Sequence, residues 1–310
     1  MIEVENLTKE YGEFRAIDDI SFSVGKGEIL GFLGPNGAGK TTVMRILTCF
    51  FPPTSGKAIV AGYNCFEDSL NVRKKIGYLP ERVPLYEDMT VSDYLRFVAA
   101  IKGTPAKDVS RKVAQITEDC GLGEVTHKLI RAISRGYRQR VGIAQALVND
   151  PEVLILDEPT VGLDPRQIKE IRKLIKDLAG RHTVILSTHI LPEVSILCGR
   201  VIIINKGKLV ASDKPENLRA GSAKKIYLRL SGNPQSVEQE LARAEGVTGI
   251  TREQTAEGAS AFVVAFDDEK RGRQGIQSMI ENNRWDLIEM RPIEASLEDI
   301  FIKLVTKEEA

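Results

Sequence analysis

Gly34-Pro35-Asn36-Gly37-Ala38-Gly39-Lys40-Thr41 decides how the rest of the chain is read. The stretch has the pattern G-x-x-x-x-G-K-[ST]. Its glycines let successive backbone N–H groups turn toward phosphate oxygens, and a helix beginning there aims its positive end at the same point. In this reading Lys40 reaches the β- and γ-phosphates of a nucleoside triphosphate, Thr41 ligates magnesium, and Thr42 continues the cradle. A chance glycine loop is the competing reading; average residue usage produces such a match in on the order of one per cent of chains this long. The flanks favour the phosphate loop. A short apolar run, Ile29 to Leu33, is a buried strand entering it. Val43, Ile46, Leu47, Phe50 and Phe51 recur at the spacing of one buried helix face leaving it, and Pro52-Pro53 stops that helix.

Outward from this unit the periodicity stays informative. Upstream, Ile20, Phe22 and Val24 alternate with polar residues, as in a half-buried strand, and Gly25-Lys26-Gly27 turns the chain. Downstream, about 90–148 reads as mainly helical, opened by a capping box at Thr90-Val91-Ser92-Asp93. From Val153 the pattern alternates again: strand Val153–Leu156, helix from Pro165, strand Val184–Leu186, strand Val201–Ile204. Strand–helix alternation implies an α/β core with a mostly parallel sheet, into which the helical stretch is inserted. A polar segment at 213–223 marks a boundary, giving domains at 1–215 and 216–310. The second is expected to be α+β, in the order β-α-β-β-α-β of the ferredoxin-like arrangement, followed by a last helix at about 297–304.

Composition sets limits on function. The 310 residues are 42% apolar and 28% charged, typical of a globular chain, and the length suits two domains. Lys+Arg and Asp+Glu are both 43, so there is no global attraction to nucleic acid or anionic lipid. Cys49, Cys65, Cys120 and Cys198 show no metal or C-x-x-C spacing and read as reduced packing residues. The N-terminus MIEVENLTKE is no signal peptide, and no apolar run approaches the roughly 20 residues that span a bilayer. Any membrane role must go through a partner.

Val153-Leu154-Ile155-Leu156-Asp157-Glu158 is a second chemical landmark, a buried strand ending in two carboxylates. Asp157 suits magnesium, and Glu158 suits orienting or deprotonating an attacking water. Alone, such a strand end is also an ordinary acidic edge; beside a phosphate loop the catalytic reading gains weight.

Further motifs resemble those of ABC ATPases. Ile133-Ser134-Arg135-Gly136-Tyr137-Arg138-Gln139-Arg140 is similar to the family signature, Glu158-Pro159-Thr160 continues the Walker B strand, Gly162-Leu163-Asp164-Pro165 resembles the D-loop and Ser187-Thr188-His189 the switch histidine. Tyr11 stands where the family places an aromatic against adenine. The motifs occur in family order over residues 1 to about 215. The resemblance implies a P-loop NTPase core of ABC type with a helical subdomain, using ATP and Mg2+. It implies a γ-phosphate contact from His189. It also implies two subunits head to tail, with ATP between the phosphate loop of one and Ser134, Gly136 and Asp164 of the other. Asp164-Pro165 is also a good start for a helix whose buried face is Ile168, Ile171, Leu174, Ile175 and Leu178. His182 reads as a surface residue. Arg131, Arg135, Arg138 and Arg140 read as a solvated helix face, with a nucleic-acid stripe as the alternative.

The chain departs from the family pattern in three places. Glu81, in Ile76-Gly77-Tyr78-Leu79-Pro80-Glu81, replaces the Q-loop glutamine; it can still offer oxygen to magnesium but cannot donate a hydrogen bond when ionised. Arg135 and Tyr137 replace a signature glycine and glutamine. These features, with Pro84-Leu85-Tyr86 and the ending Ser296-Leu297-Glu298-Asp299-Ile300-Phe301, resemble the drug, sodium and gliding-motility-associated exporter branch. That branch implies an integral membrane permease, a second ATP-binding subunit in a homodimer, no nucleic acid, and a place at the cytoplasmic face of the membrane. The loop around Glu81, Arg82 and Tyr86 is expected to receive a cytoplasmic helix of the permease. The alternative is a non-transport ABC ATPase acting as a nucleic-acid- or ribosome-associated switch. No heptad coiled coil and no second ATPase half occur to support it.

Overall fold

The protein was analysed as a computed structural model that describes residues 1–220, 224–231, 234–244, 246–253, 259–266, 268–293, 298 and 300–301. The helix expected at about 297–304 falls largely outside the described residues. The chain divides into two compact units, Met1–Pro215 and Glu216–Ala310.

In the first unit, β1 (Ile2–Tyr11) and β2 (Phe14–Val24) pair antiparallel. β3 (Ile29–Leu33) runs through the glycine loop into α1 (Lys40–Leu47). β4 (Ser55–Val60) and β5 (Tyr63–Asn64) complete an antiparallel sheet in the order β2-β1-β4-β5. α2 (Ser69–Lys75) and β6 (Ile76–Leu79) follow, then the helices α3 (Val91–Ile101), α4 (Ala106–Asp119) and α5 (Arg135–Leu147). The unit closes with β7 (Val153–Asp157), α6 (Pro165–Asp177), β8 (Thr183–Thr188), α7 (Leu191–Leu197), β9 (Arg200–Asn205) and β10 (Lys208–Asp213). A six-stranded sheet takes the order β10-β9-β3-β8-β7-β6, parallel except at the β10–β9 edge.

The two sheets show why their sequences differ. Every residue of β3, β7 and β8 is buried, because helices and the other sheet cover both faces of a parallel sheet. In β1, by contrast, Ile2 and Val4 are buried while Glu3 and Glu5 face solvent. Both sheets and α1 share one core, to which Ile2, Leu7, Ile20, Val43, Leu47, Ile155 and Ile204 contribute. Each such side chain is worth roughly 1.5–3 kcal/mol on burial.

Register delivers the chemistry to one place. β3, β8, β7 and β6 are neighbours and parallel, so their carboxyl ends lie side by side. Those ends lead into the glycine loop, His189, Glu158 and Glu81 respectively, the edge of an open α/β sheet at which ligands bind. α5 is carried on the same edge. A Cβ at Gly77 of β6 would run into the carbonyl oxygen of Ala146, and one at Gly142 of α5 would lie 2.7 Å from Leu79 and Val83. Glycine on both sides thus brings α5 close to β6.

Two expectations are corrected. α1 stops at Leu47, and the backbone at Cys49 turns left-handed (φ 58°), so Phe50 leaves the helical path and is 73% exposed. His182 is buried rather than at the surface, with Nδ1 2.7 Å from the carbonyl oxygen of Pro151. All four cysteines are free and buried, as packing residues should be. The Thr90 cap forms: its hydroxyl accepts from the Asp93 N–H at 3.1 Å and donates to the Asp93 carboxylate at 2.6 Å.

α8 (Pro215–Ala220) leads toward the second unit, which comprises β11 (Lys224–Ser231), α9 (Pro234–Leu241), β12 (Val247–Glu253), β13 (Ala259–Phe266), α10 (Glu269–Asn283) and β14 (Leu287–Ile293). Its antiparallel sheet has the order β12-β13-β11-β14. Ile226, Leu228, Leu230, Phe262, Val264 and Phe266 pack from the sheet against Val237, Leu241, Ile276 and Ile280 of the two helices. Among the described residues no helix is long and apolar enough to cross a membrane.

Candidate functional site

The glycine loop closes a cavity of about 420 Å³ lined by Asn36, Gly37, Gly39, Lys40, Thr41 and Thr42 together with Tyr11, Glu81, Glu158 and His189. Gly39 caps α1 at φ 107°, a conformation closed to residues with a Cβ, and the first residues of α1, Lys40, Thr41 and Thr42, whose N–H groups lack intrahelical partners, line the cavity. Gly34 and Ala38 do not line it; Ala38 is buried, and a Cβ at Gly34 would meet the carbonyl oxygen of Ile204. Pro35 acts through its carbonyl. Lys40, only 6% exposed, donates to the carbonyl oxygens of Gly34 at 2.8 Å and Pro35 at 3.1 Å, and lies 3.6 Å from Glu158. Burial lowers the Lys40 pKa, opposed by the charges of Glu158, Asp157 and Glu81.

Asp157 lies one strand beyond β8, at the end of β7. Its Oδ1 accepts from the hydroxyls of Ser187 and, at 3.3 Å, Thr41. Its Oδ2 is buried with no hydrogen-bond partner. Burial raises its pKa, against the pull of those hydroxyls. A buried carboxylate oxygen left unpaired beside a phosphate loop fits a divalent cation, which would satisfy it and restore the charged form. Thr41 and Asp157, bonded to one another, are residues that could hold such a cation. Glu81 is exposed on the cavity rim, and its charge reaches both Asp157 and Lys40. Among the described residues no three or more His, Cys, Asp or Glu are grouped so that they alone could hold a metal ion. Magnesium characteristically takes one or two carboxylates and completes its shell with phosphate and water.

Glu158 follows directly, in a left-handed backbone (φ 49°), with its N–H bonded to the Ser187 carbonyl and hydroxyl at 3.2 and 3.1 Å. That turn swings its side chain back over the loop. His189 Nδ1 lies 3.0 Å from each Glu158 oxygen, and since a carboxylate only accepts, Nδ1 carries the proton. Its Nε2 is thereby left for another partner. The two catalytic candidates and the loop lysine thus converge, although 118 to 149 residues of chain separate them from Lys40.

Tyr11 is 46% exposed at the cavity mouth, its ring edge-on to Phe51 at 5.9 Å and 5.3 Å from the Lys9 ammonium. Phe14, Ala16 and Val161 line the same cavity, although no motif in the sequence marks them. Phe14 stands three residues past Tyr11, across a turn, so its nearness was the one available signal.

Ser134, Gly136 and Asp164 belong to a second cavity, about 310 Å³, that shares no lining residue with the first. Ser134 caps α5, accepting from the Tyr137 N–H at 3.4 Å. Asp164 caps α6 in a full capping box with Gln167, accepting from the N–H groups of Arg166 and Gln167 at 2.9 Å. Two helix N-termini therefore open onto one concave surface, with Gly136 so close to Gln167 that a Cβ would lie 2.6 Å from its amide carbon. The arginines are engaged internally: Arg131 with Asp88, Arg138 with Glu87, Arg140 with Glu170, and Arg135 donating to the carbonyl oxygen of Val161 at 3.1 Å.

The family description "ABC transporter" matches residues 17–161, and "AAA domain, putative AbiEii toxin, Type IV TA system" matches 130–195. The probable multidrug ABC transporter ATP-binding protein YbhF of Escherichia coli is 37% identical over 72% of this chain, which spans only 39% of the length of YbhF. The bacitracin transport ATP-binding protein BcrA of Bacillus licheniformis is 36% identical over 98% of this chain and 97% of its own. Among solved structures, a dimeric post-hydrolysis state of the ATP-binding cassette MJ0796, bound to ADP and Pi, matches with a TM-score of 0.63 and 25% identity, over 69% of this chain and 98% of that one. Phosphate loops recur in many unrelated nucleotide-binding proteins, but the likeness to BcrA runs through both units, and on that ground the chain belongs to the family of ABC transporter ATP-binding subunits.

Proposed function

We propose that this chain hydrolyses ATP to power a membrane exporter, as a head-to-tail pair of subunits held by a separate permease at the cytoplasmic face of the membrane. The observation that carries the reading is the meeting of Lys40, Glu158 and His189 in the glycine-loop cavity. Lys40 and the loop N–H groups bind the phosphates, and Tyr11 stacks on the base. Thr41 and Asp157, with Glu81 on the rim, would hold magnesium, whose charge would offset that of the phosphates. Glu158 orients and deprotonates the attacking water, and His189, fixed through Nδ1, offers Nε2 to the γ-phosphate. Ser134, Gly136 and Asp164 complete the site of the facing subunit with helix N-terminal N–H groups. The second unit, whose element order and antiparallel sheet suit a ferredoxin-like module, is an accessory domain that steadies the pair.

Export is favoured over the nucleic-acid-associated alternative by relatives named for bacitracin transport and linearmycin resistance, the first matching over nearly its full length. The surface at Tyr86, 5.5 Å from Phe97 and 6.0 Å from Tyr94, is the place for a permease helix. Affinity purification of tagged protein from detergent-solubilised native membranes tests the assignment. A stoichiometric multi-span membrane protein is the expected companion; ribosomal or nucleic-acid partners in its place would overturn export.

A further inference from the structure

The residue buried most completely among the charged groups of the first unit lies outside the motifs read from the sequence. Glu193, on α7, has 0% exposure. Three donors converge on its carboxylate. Oε1 accepts from the Thr160 hydroxyl and from Arg172 Nη2 at 3.4 Å, and Oε2 accepts from the Thr188 hydroxyl at 2.9 Å. All the bonds run inward to the carboxylate, which is the pattern of an ionised acceptor balanced by Arg172. A buried charge is costly unless it is paired and hydrogen-bonded; here both carboxylate oxygens are engaged, while Arg172 Nε is buried without a partner, so the hydroxyl bonds carry much of the carboxylate's placement.

The partners give the cluster its meaning. Thr160 stands two residues after Glu158, and Thr188 stands immediately before His189. The Thr188 hydroxyl also accepts from the Ile190 N–H at 2.9 Å, so His189 sits between two residues bonded to one another. Arg172 lies on α6, the helix that begins at Asp164. One carboxylate therefore joins the exits of β7 and β8 to α6 without reaching the cavity, since none of Glu193, Thr160, Thr188 and Arg172 lines it.

We infer that Glu193 is a positioning residue for hydrolysis: by binding Thr160 and Thr188 it fixes the spacing of Glu158 and His189, without touching nucleotide. The inference rests on the roles proposed above for those two residues. The phosphate loop leaves β3 and takes no part in the cluster, so the consequence falls on turnover and spares nucleotide binding. Glu193→Gln replaces an acceptor by a donor and leaves Arg172 unbalanced. Thr188→Val keeps the side-chain shape and removes both hydroxyl bonds, whereas Thr188→Ser keeps the hydroxyl.

Steady-state ATP hydrolysis and equilibrium binding of a fluorescent ATP analogue, measured side by side on the full-length chain, provide the test. Glu193→Gln and Thr188→Val are expected to lower kcat by about tenfold or more, the scale of a small misplacement of catalytic groups. Nucleotide affinity is expected to stay within about twofold, and Thr188→Ser to recover most of the turnover. Unchanged kcat in both variants, equal loss in Thr188→Ser and Thr188→Val, or affinity falling in step with kcat would each overturn the inference. Glu158→Gln serves as the reference. If it turns over normally, the assignment of Glu158 fails and takes this inference with it. If it is inactive while the Thr188 and Glu193 variants turn over normally, this inference alone fails.

Discussion

The two cavities of the nucleotide-binding unit are built by opposite means. The glycine-loop cavity hangs on the carboxyl ends of adjacent parallel strands; Lys40 and Glu158 line it and are each less than a tenth exposed, with Asp157 buried behind the lining. The second cavity hangs on two helix starts, capped by Ser134 and Asp164, and its charged groups, Arg140, Arg166 and Glu170, pair with one another nearer solvent. The first brings together buried charge, a loop for phosphate and an unpaired carboxylate oxygen. The second is shaped by two capped helix starts, whose Tyr137, Arg166 and Gln167 N–H groups are held by Ser134 and Asp164. In the proposed pair the first cavity would bind a charged ligand on its own, and the second would add to a ligand already held by the facing subunit, each cavity supplying what the other lacks.

Single substitutions should separate the two. Lys40→Ala removes the buried cation, and the affinity of the chain for ATP is expected to fall by about 10–100-fold, the worth of a charged hydrogen bond of roughly 1.5–3 kcal/mol. Ser134→Ala, in the other cavity, is expected to leave that affinity within about twofold while lowering hydrolysis, at a cost of about 1 kcal/mol for the lost cap. Titration calorimetry and a phosphate-release assay check both. Equal loss of affinity in the two variants would remove the distinction between the cavities.

A smaller effect should appear in stability. Burial raises the Asp157 pKa, so the folded protein keeps that proton to higher pH than the unfolded chain does. The corresponding stability is present below the ordinary carboxylate pKa of about 3.9 and lost as pH rises through the raised value. Asp157→Asn removes that loss. Its melting temperature is expected to exceed that of the parent by roughly 2–4 °C at neutral pH, on the scale of about 1 kcal/mol for a unit this size. The gap should close as the pH falls toward 4, and magnesium-dependent hydrolysis should be lost. Thermal melts across pH decide it; a gap that widens on acidification would contradict the sign.

What the sequence disclosed and what it withheld divide along chain distance. The glycine loop, the strand ending at Asp157 and Glu158, and the Thr90 and Asp164 caps depend on neighbours within a few positions, so their spacing is legible. Phe50 fitted a helical stripe, but the left-handed backbone at Cys49 ended the helix before it. His182 looked like a surface residue because its partner, Pro151, lies 31 residues away. Glu193 was invisible for the same reason: Thr188, Arg172 and Thr160 lie 5, 21 and 33 residues from it. Arg135 departs from the family signature, yet it is accommodated by a contact to the Val161 carbonyl that only folding creates.

The proposed pairing requires closure of two unlike cavities, one from each copy, over each nucleotide. It is tested most directly by light scattering on Glu158→Gln, in which the amide cannot take a proton from water while the binding groups are kept. With magnesium and ATP a particle of twice the subunit mass is expected, reverting to one subunit when nucleotide is removed. A single-subunit mass under saturating magnesium and ATP would contradict it.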